Sequence, residues 1–112
     1  MIFLVFLSAC VTEGEDTAEA WCAEQPEVTW DSFSHGFMLD YCTSCHSVNN
    51  TGSRYGAPEG VNFDAESDVA AQVERVWTRV VADEDMPEAG GVYRDDLYLF
   101  DIYLTCTLDR TP

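Results

Sequence analysis

The chain has 112 residues, enough for one domain, and a net charge of −16, with 21 acidic side chains against five basic ones, all arginine. Phosphate backbones are held by lysine and arginine, so this balance argues against nucleic acid as a partner. It either steers a basic partner at low salt or serves only to keep the chain soluble. Five cysteines in so short a chain point away from a reducing compartment.

Residues 1–10, Met-Ile-Phe-Leu-Val-Phe-Leu-Ser-Ala-Cys, form an apolar run ending in Leu7-Ser8-Ala9-Cys10. This resembles the lipobox of bacterial lipoprotein signals. The resemblance implies cleavage before Cys10 and a diacylglyceryl thioether on its sulfur. Two or three acyl chains give stable anchoring, whereas the run itself is too short to span a bilayer. Ordinary signals open with basic residues. This start has none, so a short basic stretch upstream is expected. The alternative is a buried apolar segment with Cys10 in a disulfide. Residues 11–20 are acidic and poor in large apolar groups, which predicts a solvated tether. The expected organisation is a signal over 1–9, a lipidated cysteine and tether over 10–27, and one domain over 28–112.

A helix is predicted over 29–41, with Thr29 as its N-cap. Trp30, Phe33, Phe37 and Tyr41 recur at helical spacing and make one aromatic face. Gly36 lowers helix stability and is expected to mark a close helix crossing. His35 reads as a surface or capping histidine and Met38 as packing, rather than as ligands.

The helix leads into Cys42-Thr43-Ser44-Cys45-His46. A Cys-x-x-Cys-His run reads as a c-type haem attachment site. Two thiols in one helical turn reach the two vinyl groups on one haem edge, and the following histidine lies beneath the iron. The rival reading is a redox-active or structural disulfide. A thioredoxin-like context is missing because no strand–helix–strand pattern surrounds the pair. Zinc is disfavoured because no second Cys or His pair follows at finger spacing.

Two further positions join the pentapeptide. Pro58 follows His46 by twelve residues, and Met86, followed by Pro87, lies forty residues after it. With helical patterns before the motif and at the chain end, residues 28–108 resemble a small class I cytochrome c. The resemblance implies an all-α fold of three main helices and loops wrapped around one haem c, held through Cys42 and Cys45. It implies His46 as proximal ligand, with its other ring nitrogen bonded to the Pro58 carbonyl. It also implies Met86 as distal ligand, a soft thioether that raises the reduction potential.

Asn49–Ser53 and Gly56–Gly60 are turn-forming, and in the family this loop covers a haem edge. Arg54 is a candidate partner for a haem propionate, with a solvated arginine as the equal alternative. Ser67 is expected to cap a helix over 68–81, whose buried face takes Val69, Val73, Val76 or Trp77, and Val80. Trp77 either donates its indole N–H to a propionate or simply packs. Residues 83–91 read as a loop carrying Met86. The last helix is expected over 94–108, with Leu97, Phe100, Leu104 and Leu108 inward. If haem takes Cys42 and Cys45 and lipid takes Cys10, Cys22 and Cys106 remain as a pair. Packed terminal helices would bring them together, and their bond would stabilise by about 3–4 kcal/mol in the chain-entropy view.

The resulting expectation is a non-enzymatic electron-transfer protein of the bacterial envelope. It would be lipid-anchored, face the periplasm or exterior, and exchange electrons with partners bearing a basic docking face. The alternatives are a haem sensor or a peroxidase- or oxidase-type subunit with a labile sixth ligand, or a haem-free, disulfide-bearing interaction lipoprotein.

Overall fold

Thr29 caps the helical stretch that leads into the Cys42–His46 turn, as predicted. The computed structural model describes residues 17–111, so Cys10, the lipobox and residues 11–16 lie outside the described part. Thr29 has extended backbone, and its Oγ1 accepts the Ser32 N–H at 3.0 Å while Ser32 Oγ accepts the Thr29 N–H at 3.0 Å. This reciprocal cap satisfies N–H groups that the first turn leaves without partners. A π-helical turn, Trp30–Ser34, then runs into helix α2, His35–Tyr41. Helix α1, Thr17–Ala23, precedes it. Part of the segment read as tether, Thr17–Ala23, is therefore helical.

The next helical stretch is α3, Glu66–Ala71, followed by α4, Val73–Trp77, and a π-helical turn, Thr78–Ala82. Its cap lies two residues earlier than expected. Ala65 is the N-cap, and Asp68 Oδ2 accepts the Ala65 N–H at 3.0 Å. The carboxylate of the first turn thus satisfies the N–H of the cap residue, and Ser67 lies inside the helix rather than capping it. The chain closes with α5, Arg94–Ile102, and a π-helical turn, Tyr103–Thr107. Among the described residues there is no strand, and no helix is long and apolar enough to cross a membrane.

The core forms where α2 meets α5. Phe37 stacks on Phe100 with ring centroids 4.0 Å apart, and Phe37 also contacts Tyr41 at 4.7 Å. Met38, Val69, Phe100, Ile102, Tyr103 and Leu104 are all buried to 1% exposure or less. Full burial of each large apolar side chain is worth about 1.5–3 kcal/mol, so this small set dominates the stability. Tyr41 Oη donates to Asp96 Oδ2 at 2.8 Å and ties the two helices at their rim.

Two expectations change here. An added Cβ at Gly36 would meet nothing within 4 Å, so no helix crosses closely there. Leu108 is only half-buried, while Ile102 and Tyr103 are fully buried. The π turn accounts for this, because Leu108 N–H bonds to Tyr103 O across five residues and the inward face shifts out of 3.6-residue register.

Cys22 and Cys106 form a disulfide with a Cα–Cα distance of 5.5 Å. The bond joins α1 to the last turn of the chain.

Candidate functional site

The Cys42–His46 segment is one tight turn at the end of α2. Cys42 N–H and Thr43 N–H both donate to Met38 O at 2.9 Å, closing the helix. Cys42 O then accepts from Cys45 N–H at 3.2 Å and His46 N–H at 2.9 Å. Both thiols and the imidazole therefore leave from the same turn. Both cysteines are free and half-buried. Ser44 Oγ lies 3.9 Å from Cys45 Sγ. Burial against the core pushes the Cys42 thiol up to about 12, and the neighbouring Cys45 adds to the shift. Cys42 is thus held as a neutral, weakly nucleophilic thiol.

The His46 ring is fixed from two sides. Its Nδ1 lies 2.9 Å from Val61 O. A carbonyl oxygen can only accept, so Nδ1 is the donor, and the neutral form of the ring is the tautomer whose lone pair lies on Nε2. The ring also packs on Phe63, with centroids 5.3 Å apart. Phe63 N–H donates to His46 O at 2.9 Å, so the returning chain clasps the histidine through backbone and ring together.

Arg54 holds the loop that delivers Val61. Its Nη1 donates to Ser47 O at 2.7 Å, and its Nη2 to Pro58 O and Asn62 Oδ1, both at 2.8 Å. Longer contacts reach Val61 O at 3.2 Å and Ala57 O at 3.3 Å. A planar fork with five donors suits this web in a way that a lysine would not. Asn50 Nδ2 donates to Ser44 O at 2.7 Å and fastens the loop to the cysteine turn. Below it, Asp64 accepts Ser47 Oγ–H at 2.5 Å and Val48 N–H at 2.9 Å. These bonds, with a smaller contribution from the Arg54 charge, hold the Asp64 carboxyl below its ordinary range.

Several site expectations land elsewhere. The carbonyl on His46 is that of Val61, whereas Pro58 O accepts from Arg54 and from Val61 N–H. Trp77 Nε1 donates to Asp101 Oδ1 at 2.7 Å, and the Arg110 guanidinium lies 3.8 Å above its ring. Arg54 and Trp77, the candidate propionate donors, thus both serve protein acceptors. Met86 is half-buried and lines a cavity of about 220 Å³ with Val80, Val92, Leu97, Glu84 and Arg94. The walls of that cavity do not include His46, Cys42 or Cys45.

The expected haem c, covalent through Cys42 and Cys45, is corrected on these grounds. The sulfur linkage among the described residues is the Cys22–Cys106 disulfide, and Cys42 and Cys45 are free thiols. Among the described residues no group of three or more His, Cys, Asp or Glu is placed to hold a metal ion. The side-chain donors expected to meet the cofactor are spent on protein carbonyls and a carboxylate instead.

The sequence carried one usable signal for the Arg54 web. Arg54 is the only cation in residues 1–74, and a solitary arginine inside a turn-rich loop is placed to collect carbonyls. Val61 gave no signal, because any residue can offer a carbonyl. His35 is exposed and stacks on Trp30 at 5.0 Å, and Met38 is core, both as read from the sequence. No family model matches the chain, and neither a curated protein nor a solved structure matches it.

Proposed function

We propose that the chain is a non-enzymatic electron-transfer protein of the bacterial envelope, and that its redox group is the Cys42/Cys45 dithiol. One observation carries the reading. Two free thiols share a turn with an imidazole whose Nδ1 is engaged by the Val61 carbonyl, in a chain that also holds an oxidised disulfide. Electrons then move in pairs by thiol–disulfide exchange. Cys45 gives up its proton, and its sulfur attacks a disulfide of the partner protein, forming a mixed disulfide. The departing partner thiolate takes a proton. Cys42 then attacks the Cys45 sulfur and loses its own proton to the second departing thiolate. The partner disulfide ends as two thiols and Cys42–Cys45 as a disulfide. Cys42 acts second because burial keeps it protonated until the mixed disulfide brings an electrophilic sulfur beside it. His46 offers a proton acceptor in the same turn.

The finer fold reading belongs to the same proposal. A cytochrome c-like packing of α2 against the last helix belongs to it and is supported by the Phe37–Phe100 stack and by the Met86-Pro87 loop lying between the two in the chain. So does the setting, in which a lipid on Cys10 anchors the chain and partners dock through a basic face drawn by the net charge of −16.

The test is intact mass and thiol counting of the exported protein across dithiol/disulfide redox buffers. The expected result is a loss of two hydrogens from the peptide holding Cys42 and Cys45 as the buffer becomes oxidising, with a midpoint of its own, separate from any change at Cys22 and Cys106. A pair that stays reduced throughout overturns the reading. So does a peptide carrying added mass together with visible absorption that survives acid–acetone extraction.

A further inference from the structure

We infer that the Cys22–Cys106 disulfide is a reducible latch, which fastens α1 to the end of the chain while the core folds without it. This goes beyond the Cys42/Cys45 proposal and does not depend on it.

The first ground is helix length. Helix α1 has seven residues, and isolated helices shorter than about 12–15 residues do not hold in water. Something outside α1 keeps it helical. Its contacts run to the Tyr103–Thr107 turn, where Cys106 takes Cys22. Trp21 is only half-buried against the core. Past α1, Gln25 Oε1 accepts from the exposed Tyr98 hydroxyl, a contact open to water.

The second ground is where burial begins. Among the described residues, the buried hydrophobic core runs from Val28 to Leu104, and α1 contributes none of it. Val28 is 4% exposed, and its carbonyl accepts Thr107 Oγ1–H at 2.5 Å. Peeling of the N-terminal segment therefore stops at Val28. Neither Cys22 nor Cys106 is fully buried.

The chemistry balances with a dithiol reductant. One thiolate attacks the disulfide and releases the Cys22 or Cys106 thiol. The second then closes the reductant's own disulfide and releases the other thiol. Two electrons and two protons pass to the chain. Freed residues 17–27, extended, add a lead of about 35–40 Å to whatever precedes them.

The experiment is hydrogen exchange by mass spectrometry on the full chain, before and after dithiothreitol, and on the Cys22→Ser/Cys106→Ser double variant. The expected result is that residues 18–23 lose all protection, while residues 35–41 and 94–104 keep theirs to within about twofold. Protection of 18–23 that survives loss of the bond overturns the latch. Loss of protection in the core as well overturns it too, because the bond would then staple the whole domain. If the double variant does not express, the reduced wild-type chain gives the same readout.

Discussion

Removing the Arg54 guanidinium should open the loop beneath His46 without unfolding the helices. Arg54→Ala deletes three short contacts, to Ser47 O at 2.7 Å and to Pro58 O and Asn62 Oδ1 at 2.8 Å. Each is worth about 1 kcal/mol net, so the loop loses about 3 kcal/mol of closing free energy. That corresponds to roughly a 100-fold rise in the open population. The informative amides are Val61, bonded to Pro58 O at 3.0 Å, and Phe63, bonded to His46 O at 2.9 Å. Their exchange should accelerate by that factor, while amides of α5 hold steady. Arg54→Lys keeps the charge but not the fork, and should recover about one contact out of the three. Acceleration below about fivefold in Arg54→Ala would refute the claim that this side chain closes the loop. Equal behaviour of the lysine variant and wild type would show that charge, not geometry, is what matters.

Phe100→Ala removes a ring that is fully buried and stacked on Phe37; urea unfolding should give a loss of about 3–5 kcal/mol, and a loss under about 1 kcal/mol would place the core elsewhere. Hydrogen bonds from Ser47 and Val48 hold the Asp64 carboxyl below its ordinary value of 3.8. Its contribution is therefore complete above that pH and disappears as acid takes the pH down through the depressed folded value. Asp64→Asn should flatten the acid limb of the urea midpoint against pH, and an unchanged slope would contradict the assigned bonds. With its thiol pushed up to about 12, Cys42 should stay unalkylated by iodoacetamide near neutral pH in the folded protein. Peptide mass mapping that finds Cys42 modified as fast as a thiol in urea would overturn the burial argument.

Much of the helical layout was legible because its signals are local. Thr29 before an aromatic stripe at helical spacing set the start of the α2 stretch, and Val69, Val76 and Val80 marked a buried face. Boundaries drifted where two nearby residues competed for one role, as when Asp68 rather than Ser67 completed the cap on Ala65. The inward face of the last helix drifted for another reason. A π turn costs one residue of register, and the 3.6-residue pattern has no mark for it, so Tyr103 went unread and Leu108 was overestimated.

The sequence alone determined that the chain is acidic, helical and cysteine-rich, and that Cys42, Cys45 and His46 share a turn, because spacing within a helix end is fixed by the backbone. The structure joins Cys22 to Cys106, a pair the sequence reading reached only by assigning Cys42 and Cys45 to haem, which the free thiols correct. Only the tertiary structure decided which carbonyl meets the His46 ring, where Arg54 and Trp77 spend their donors, and that α1 docks on the chain end. The physical reason is that carbonyls are identical along the chain and long polar side chains reach several acceptors. Proximity after folding, not residue type, selects among them.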